Sequence, residues 1–265
     1  MNPRTQIIAT IGPASESVAI CKQMVEAGVD ILRMNFAWQT HESTARYMAL
    51  VKEVEDTLQK KLLIVADLPG PRVQGIDGHS FNSALPPITK KDEEVLAWCA
   101  TEHIPYVALS FVAQADDVLA CKKIITSFGG SQRVIAKIER AEAVANIDSI
   151  IEVADGIMVA RGDLGENIPL EEVPFVQQEI VRKANTAGKP VIVATQMLLS
   201  MTAHEEPTRA EVTDVTEAVR SGADAVMLSD ETASGQFPVA AVAMMDRIIR
   251  ETEMQTGRTM YHNLI

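Results

Sequence analysis

Eight short apolar runs alternate with amphipathic segments along this chain, and this alternation constrains its fold more than any other feature. Each run has the length and aliphatic character of a buried strand, and the segments between the runs have helical periodicity. The runs lie at 6–11, 30–35, 62–67, 106–112, 134–138, 155–163, 190–195 and 225–229. Eight strand–helix units in 265 residues, close to the roughly 250 typical of eight-fold barrels, predict an α/β protein with a single (β/α)8 TIM barrel.

The composition agrees with such a barrel and excludes several classes of function. Hydrophobic residues make up 47% of the chain and aromatic residues only 4%, which indicates an aliphatic core. The net charge of −12 argues against a nucleic-acid surface, because phosphate backbones need clustered cations. The sequence contains no run of 18 apolar residues and no apolar leader segment. With three cysteines and no CxxC pair, we expect a cytoplasmic protein that does not bind membranes.

The runs at 134–138 and 155–163 bring together the residues that point most clearly to chemistry. Alternation along a strand places Lys137 and Glu139 on one face, and Asp163 ends the neighbouring run. Two carboxylates suit Mg²⁺ or Mn²⁺, which complete their coordination with water or substrate oxygens. A lysine beside such an ion can stabilise an oxyanion or a phosphoryl group. The alternative is an ordinary ion pair between Lys137 and Glu139 at a strand end.

Further polar residues stand at the carboxyl ends of other predicted strands, where barrel enzymes place their substrates. We predict that these residues contact substrate, together with a turn that contains Gly162. They are Asn35, Asp67, Asp163, Thr195 and Ser229. Arg33 lies two residues before Asn35 on the same face, so it could hold a phosphate or carboxylate through a forked contact. An arginine paired with an acid at the barrel rim is the alternative.

The chain resembles the catalytic barrel of the pyruvate kinase family. The resemblance runs in order over nearly the whole length and rests on a dense set of motifs. They are IATIGPAS at 8–15, RMNF at 33–36, ADLPGP at 66–71, SFVAQADD at 110–117, AKIE at 136–139, MVARGDLG at 158–165, ATQML at 194–198, PTRAEV at 207–212, GADAVMLS at 222–229 and ETA at 231–233.

The resemblance implies a role for each matching residue. Lys137 would assist phosphoryl transfer between phosphoenolpyruvate and ADP, and Glu139 and Asp163 would bind the divalent ion. Amides around Gly162 and Asp163 would hold the substrate carboxylate. Thr195 would serve the proton-transfer step, and Arg33 would meet the phosphoryl group.

The chain also departs from the family pattern. Family members insert a lid domain after the third strand, whereas this chain has only the short loop 72–88. Family members also carry a carboxyl-terminal effector domain. We expect residues 1–265 to form the barrel alone, without that domain. Arg72 stands where potassium-dependent members have an acid, and Ala37 replaces a serine that binds potassium. We therefore expect no potassium requirement.

Three functions from different classes follow as hypotheses. The first is a pyruvate kinase-like transferase that uses phosphoenolpyruvate or pyruvate with ADP or ATP, through an enolpyruvate intermediate. The second is a metal-dependent lyase acting on a keto acid without nucleotide, such as an oxaloacetate decarboxylase or an aldolase. The third is a non-catalytic regulatory barrel or a fragment. The resemblance also implies a homodimer or a larger homo-oligomer.

Overall fold

The computed structural model describes residues 5–75, 78–82 and 84–257, and within them ten strands and eleven α-helices form. The strands are β1 (Gln6–Thr10), β2 (Ile31–Asn35), β3 (Leu63–Asp67), β4 (Arg72–Gly75), β5 (Gly78–Phe81), β6 (Tyr106–Leu109), β7 (Arg133–Ile138), β8 (Gly156–Ala160), β9 (Val191–Ala194) and β10 (Ala225–Leu228). The helices are α1 (Val18–Ala27), α2 (His41–Leu58), α3 (Lys90–Thr101), α4 (Ala115–Ser127), α5 (Ala141–Ala145), α6 (Ile147–Val153), α7 (Arg161–Asn167), α8 (Val173–Thr186), α9 (Arg209–Ser221), α10 (Asp230–Ala233) and α11 (Pro238–Thr256).

Eight of the strands close into a parallel barrel in the order β1-β10-β9-β8-β7-β6-β3-β2. These eight strands fall on the eight apolar runs, so the predicted (β/α)8 barrel is confirmed. The sixth run differs, because β8 ends at Ala160 and the following residues, including Asp163, form α7. The strands are buried along nearly their whole length, as expected for a parallel sheet covered by helices.

The chain clusters into two compact units. The first contains Met1–Met34, Gln39–Ile64 and Pro190–Ile265, and it holds β1, β2, β9 and β10 with α1, α2 and α9 to α11. The second contains Asn35–Trp38 and Val65–Lys189, and it holds β6, β7 and β8 with α3 to α8. Among the described residues, no helix has both the length and the apolar character needed to span a bilayer.

Side-chain caps define where several helices begin. Thr40, Thr89 and Thr208 are the N-caps of α2, α3 and α9, and each belongs to a reciprocal capping box with the residue three positions later. Such a box satisfies two backbone amides that the helix itself leaves without partners. At the other end of α9, Gly222 adopts a φ of 116°, a conformation that costs glycine little.

The segment 72–88 contains a two-stranded hairpin that the sequence analysis did not predict. β4 and β5 pair in antiparallel fashion, with Arg72 opposite Phe81 and Gly75 opposite Gly78. This hairpin forms a separate sheet from the barrel. The short connection expected after the third strand is therefore partly ordered as sheet.

Glu231 is a buried carboxylate that ties two loops of the first unit together. Its Oε1 accepts a hydrogen bond from the Leu198 amide at 3.0 Å, and its Oε2 accepts one from the Ser229 amide at 2.8 Å. Burial raises the pKa of Glu231, and the charge of Asp230 raises it further, whereas the amide contacts lower it. The native protein therefore binds a proton at Glu231 more readily than the unfolded chain does.

We expect Glu231→Gln to change how stability depends on pH. A raised native pKa favours the folded state at low pH, and this contribution is lost as pH rises from the ordinary glutamate value through the native one. The free energy of unfolding of the wild type should therefore fall relative to that of Glu231→Gln, by up to about 1.4 kcal/mol per pH unit in this window. Urea unfolding between pH 4 and pH 8 would measure this, with exposed Glu171→Gln as control. A constant difference across the range would contradict the expectation.

Candidate active site

β7 delivers Lys137 and Glu139 to the carboxyl-terminal end of the barrel sheet. The strand runs from Arg133 to Ile138, and every residue after Arg133 is buried. Lys137 is 3% exposed and Glu139 is fully buried. Charged groups at such depth must be paired, because water no longer solvates them.

The ammonium of Lys137 contacts three oxygen atoms from the ends of three strands. Its Nζ donates to Ser110 Oγ at 2.8 Å and lies 3.1 Å from Asp67 Oδ1 and 2.9 Å from Glu139 Oε1. Ser110 in turn donates to the carbonyl of Leu68 at 2.8 Å. An ammonium has three donors, so these contacts fix the position of the lysine and hold two acids around it.

Glu139 is held from a second side by the backbone of Phe111. The Phe111 amide donates to Glu139 Oε2, and Phe111 has a φ of 57°, an uncommon conformation for a residue with a large side chain. Burial raises the pKa of Glu139 and the nearby charge of Asp163 raises it further, whereas Lys137 and Arg72 lower it. Strained backbone of this kind clusters at functional sites.

Arg72 places a second cation beside the acids. Its Nη2 lies 3.6 Å from Glu139 Oε1 and 3.5 Å from Asp163 Oδ2. The guanidinium also sits over the Phe111 ring, with 4.7 Å between Cζ and the ring centroid. A single nitrogen atom of Arg72 is therefore close to both carboxylates that the sequence analysis assigned to a metal.

The residues present fit a divalent cation. Glu139 Oε1 is buried and has no well-aligned hydrogen bond, although the Lys137 ammonium is within ion-pair distance. Glu139 Oε1 and Asp163 Oδ2 both lie near Nη2 of Arg72, and paired carboxylate oxygens are the ligands that Mg²⁺ and Mn²⁺ prefer. Within the described part of the chain, no three or more His, Cys, Asp or Glu side chains form a metal-binding group. A bound ion would therefore take its other ligands from water or substrate.

Asp163 lies in a helix and not at a strand end. β8 ends at Ala160, and Gly162 and Asp163 belong to the first turn of α7. The prediction that Asp163 ends the strand is wrong, because the charged residues that directly follow the apolar run begin a helix. The Asp163 carboxylate nevertheless lies beside the acidic cluster, because it contacts Arg72, which also contacts Glu139.

Arg33 contacts a hydroxyl group of the neighbouring strand β1. It lies in β2, is 7% exposed, and donates from Nη1 to Thr10 Oγ1 at 2.9 Å. Thr10 Oγ1 donates onward to the Leu228 carbonyl at 2.9 Å. Asn35 ends β2, and its Oδ1 accepts a hydrogen bond from the Ala37 amide at 3.1 Å.

Thr195 and Ser229 follow the last residues of β9 and β10. Thr195 has a φ of 68° and Gln196 a φ of 55°, so two successive residues take the left-handed conformation that branched side chains rarely adopt. Thr195 Oγ1 donates to the carbonyl of Ala194 at 2.6 Å. Ser229 Oγ is buried and has no hydrogen-bond partner among the described residues. Their contacts with substrate stay predictions.

Three residues of the site were not among the predicted ones. Ser110 follows β6 directly, so the rule that placed Asp67 after β3 could have identified it. The family pattern relates Arg72 only to potassium, although its side chain contacts both Glu139 and Asp163. Asp92 is fully buried at the start of α3, and its Oδ1 accepts from the Gly70 amide at 2.9 Å. No periodicity in the sequence distinguishes that role from ordinary helix capping.

The fold and the buried cluster together define the class of protein to which this chain belongs. This is a (β/α)8 barrel with a buried lysine and two acids gathered at the carboxyl ends of β3, β6 and β7, the face at which barrel enzymes carry their active sites.

Comparison with known proteins gives the family within that class. The model of the family described as pyruvate kinase, barrel domain, matches residues 2–80 and 73–242. The pyruvate kinase of Thermococcus litoralis is 34% identical over 94% of this chain and 70% of its own length. That of Geobacillus stearothermophilus is 35% identical over 96% of this chain and 57% of its own length. Plastidial pyruvate kinase 2 of Arabidopsis thaliana is 33% identical over 94% of this chain and 57% of its own length. The chain belongs to the pyruvate kinase family, and it spans between 57% and 70% of the length of these relatives.

Proposed function

We propose that this chain transfers a phosphoryl group between phosphoenolpyruvate and ADP, with a divalent ion as cofactor. The observation that carries the proposal is the buried cluster in which the Lys137 ammonium contacts Asp67, Ser110 and Glu139. The name pyruvate kinase, shared by the relatives described above, supports the same reaction.

Each residue of the cluster has a part in this proposal. Ser110 and Asp67 orient Lys137, so that its charge can stabilise the negative charge that develops on a phosphoryl group in transit. Glu139 and Asp163 would hold Mg²⁺ or Mn²⁺, which acts as a Lewis acid toward substrate oxygens when bound. The phosphoryl contact of Arg33, the proton-transfer role of Thr195, and the substrate contacts of Asn35, Gly162 and Ser229 belong to the same proposal.

The hairpin of β4 and β5 has a place in this proposal as well. The alignment with the T. litoralis relative extends over 331 residues, more than the 265 of this chain, so the relative carries residues that this chain lacks. The family model matches this chain in two segments, 2–80 and 73–242, and these segments meet at residues 73–80, inside the hairpin. Both observations support the interpretation that the hairpin stands where relatives carry an inserted lid domain.

Two other hypotheses and two associated expectations have less support. The relatives described above carry the name of a kinase, and no observation of the site favours the lyase over it. A non-catalytic barrel would have no need of a buried lysine surrounded by acids. Independence from potassium and assembly into a homodimer remain proposals drawn from the resemblance.

Formation of pyruvate from phosphoenolpyruvate and ADP, measured with Mg²⁺ or Mn²⁺, tests the proposal. We expect ADP-dependent turnover that Glu139→Gln lowers by about 100-fold or more, because the variant loses one of the two carboxylates that would hold the divalent ion. The matched control is Glu166→Gln, which removes an exposed acid from α7, three residues beyond Asp163. Its activity should stay within about twofold of the wild type.

A second readout separates chemistry on pyruvate from transfer to nucleotide. Proton NMR in heavy water would follow loss of the pyruvate methyl signal with metal and without ADP. Exchange that Glu139→Gln abolishes would support a working site for the enolate. Absence of both exchange and pyruvate formation in the folded wild type would refute the proposed function.

A further inference from the structure

Two arginine side chains and two aromatic rings form a continuous stack between the hairpin of β4 and β5 and the barrel. The members of this aromatic stack are, in order, Arg140, Phe81, Phe111 and Arg72. The Cζ atom of Arg140 lies 4.2 Å from the centroid of the Phe81 ring. The Phe81 and Phe111 centroids are 5.1 Å apart, and Arg72 Cζ lies 4.7 Å from the Phe111 centroid. Each of these contacts is attractive, because an aromatic face carries partial negative charge.

The hairpin supplies two members of the aromatic stack from facing positions. Arg72 in β4 and Phe81 in β5 are directly opposite each other in the antiparallel register, and opposite residues of such a pair lie on the same face. Both side chains meet the ring of Phe111, which follows β6. A two-stranded hairpin is at best marginally stable by itself, so its contact with Phe111 helps to fix its place on the barrel.

The two acids of the site hold the Arg72 guanidinium only weakly. Its Nη2 lies 3.5 Å from Asp163 Oδ2 and 3.6 Å from Glu139 Oε1, whereas strong charge-assisted hydrogen bonds measure about 2.7–2.9 Å. The buried Nε atom of Arg72 has no hydrogen-bond partner among the described residues. The position of the guanidinium is therefore fixed largely by the Phe111 ring on which it lies.

This position of Arg72 has a consequence for a divalent cation. Its Nη2 is close to one oxygen atom of each carboxylate that the proposed function assigns to the ion. A guanidinium held there competes with the ion, because two positive charges that share the same oxygens repel each other. The Arg72 side chain is only 16% exposed, so salt and water screen this repulsion little.

We propose that Phe81 is a positioning residue that sets the affinity of Glu139 and Asp163 for a divalent ion. It acts through Phe111, because it holds that ring under Arg72 and so keeps the guanidinium beside the two acids. The inference rests on the proposed function for the identity of the metal ligands. It adds that the hairpin, and not the barrel alone, determines how tightly the ion binds.

Calorimetric titration of the full chain with Mn²⁺, in the absence of substrate, tests this role. We expect Arg72→Met to tighten Mn²⁺ binding by about tenfold or more, because it removes the competing charge. Phe81→Leu should tighten it by about threefold or more, because the aromatic contact that holds the guanidinium in place is lost. A merely structural defect would weaken binding instead. Phe81→Tyr keeps the ring and should bind Mn²⁺ as the wild type does, and Glu139→Gln should abolish binding.

A double-mutant cycle shows whether Phe81 acts through Arg72. In the Arg72→Met background, Phe81→Leu should no longer change the Mn²⁺ affinity, because no guanidinium is left to hold. The matched control is Phe175→Leu, which alters an exposed ring of α8 and should leave the affinity within about twofold of the wild type. Circular dichroism would show that the variants fold.

Arg140 tests the other end of the aromatic stack without changing either ring. Arg140→Lys keeps the positive charge but loses the flat guanidinium face that lies on Phe81, so we expect a smaller tightening in the same direction as for Phe81→Leu. The matched control is Arg133→Lys at the opposite end of β7, where Arg133 lies 5.9 Å from the Tyr106 centroid. That variant should leave the Mn²⁺ affinity unchanged.

The outcomes separate this inference from the proposed function. The positioning role is overturned if the wild type binds no Mn²⁺, if binding survives Glu139→Gln, or if Phe81→Leu leaves the affinity unchanged or weaker. It is also overturned if Phe81→Leu has the same effect with and without Arg72. Pyruvate formation by the wild type, together with any of these results, leaves the proposed function standing. The expected changes in Mn²⁺ affinity without any pyruvate formation would support the positioning role and refute the proposed function.

Discussion

Replacing Lys137 by methionine is expected to lower the free energy of unfolding by about 3–5 kcal/mol, because it removes one partner of a buried ionic cluster. The methionine fills much of the volume, so the loss is mainly electrostatic. Asp67 and Glu139 lose the ammonium that lies 3.1 Å and 2.9 Å from them, and Ser110 loses its donor. Urea unfolding at neutral pH would measure the change.

A matched surface pair serves as the control for this prediction. Lys122 lies 2.8 Å from Asp155, and both side chains are about one third exposed, so Lys122→Met should cost less than about 1 kcal/mol. The double variant Lys137→Met/Glu139→Gln should recover part of the loss, since it removes one of the uncompensated charges. If Lys137→Met costs no more than Lys122→Met, the cluster does not hold the ends of its strands together as described.

Replacing Asp92 by alanine is expected to lower the free energy of unfolding by about 2–4 kcal/mol, because one buried and two partly buried donors lose their acceptor. Those donors are the Gly70 amide and the amide and hydroxyl of Thr89. The substitution also removes the capping box of α3. Urea unfolding at neutral pH would measure the change.

The control for Asp92 is another acid in the first turn of a helix. Asp116 occupies the first turn of α4 and is exposed, so Asp116→Ala should cost less than about 1 kcal/mol through the helix dipole alone. Asp92→Asn retains one acceptor oxygen and should fall between the two. Equal stability losses for Asp92→Ala and Asp116→Ala would contradict this role of the Asp92 hydrogen bonds.

Much of the barrel could be predicted from the sequence because its strands are buried on both faces. Such strands appear as nearly continuous apolar runs, and the run at 225–229, for example, became β10 at Ala225–Leu228. The hairpin of β4 and β5 was missed because its residues, RVQG and GHSF, are short, polar and rich in glycine, with little strand propensity. The end of β8 was misplaced because charged residues after an apolar run can begin a helix as readily as end a strand.

By itself the sequence determined the order of strands and helices, and it placed Lys137, Glu139 and Asp67 at strand ends. These properties depend on local periodicity and on which residues follow each apolar run. The tertiary structure alone decided that Ser110 and Asp67 hold Lys137, that Arg72 reaches both Glu139 and Asp163, and that Asp92 binds the Gly70 amide. Such contacts join residues 22 to 91 positions apart, and they depend on strand register and side-chain direction, which no local pattern encodes.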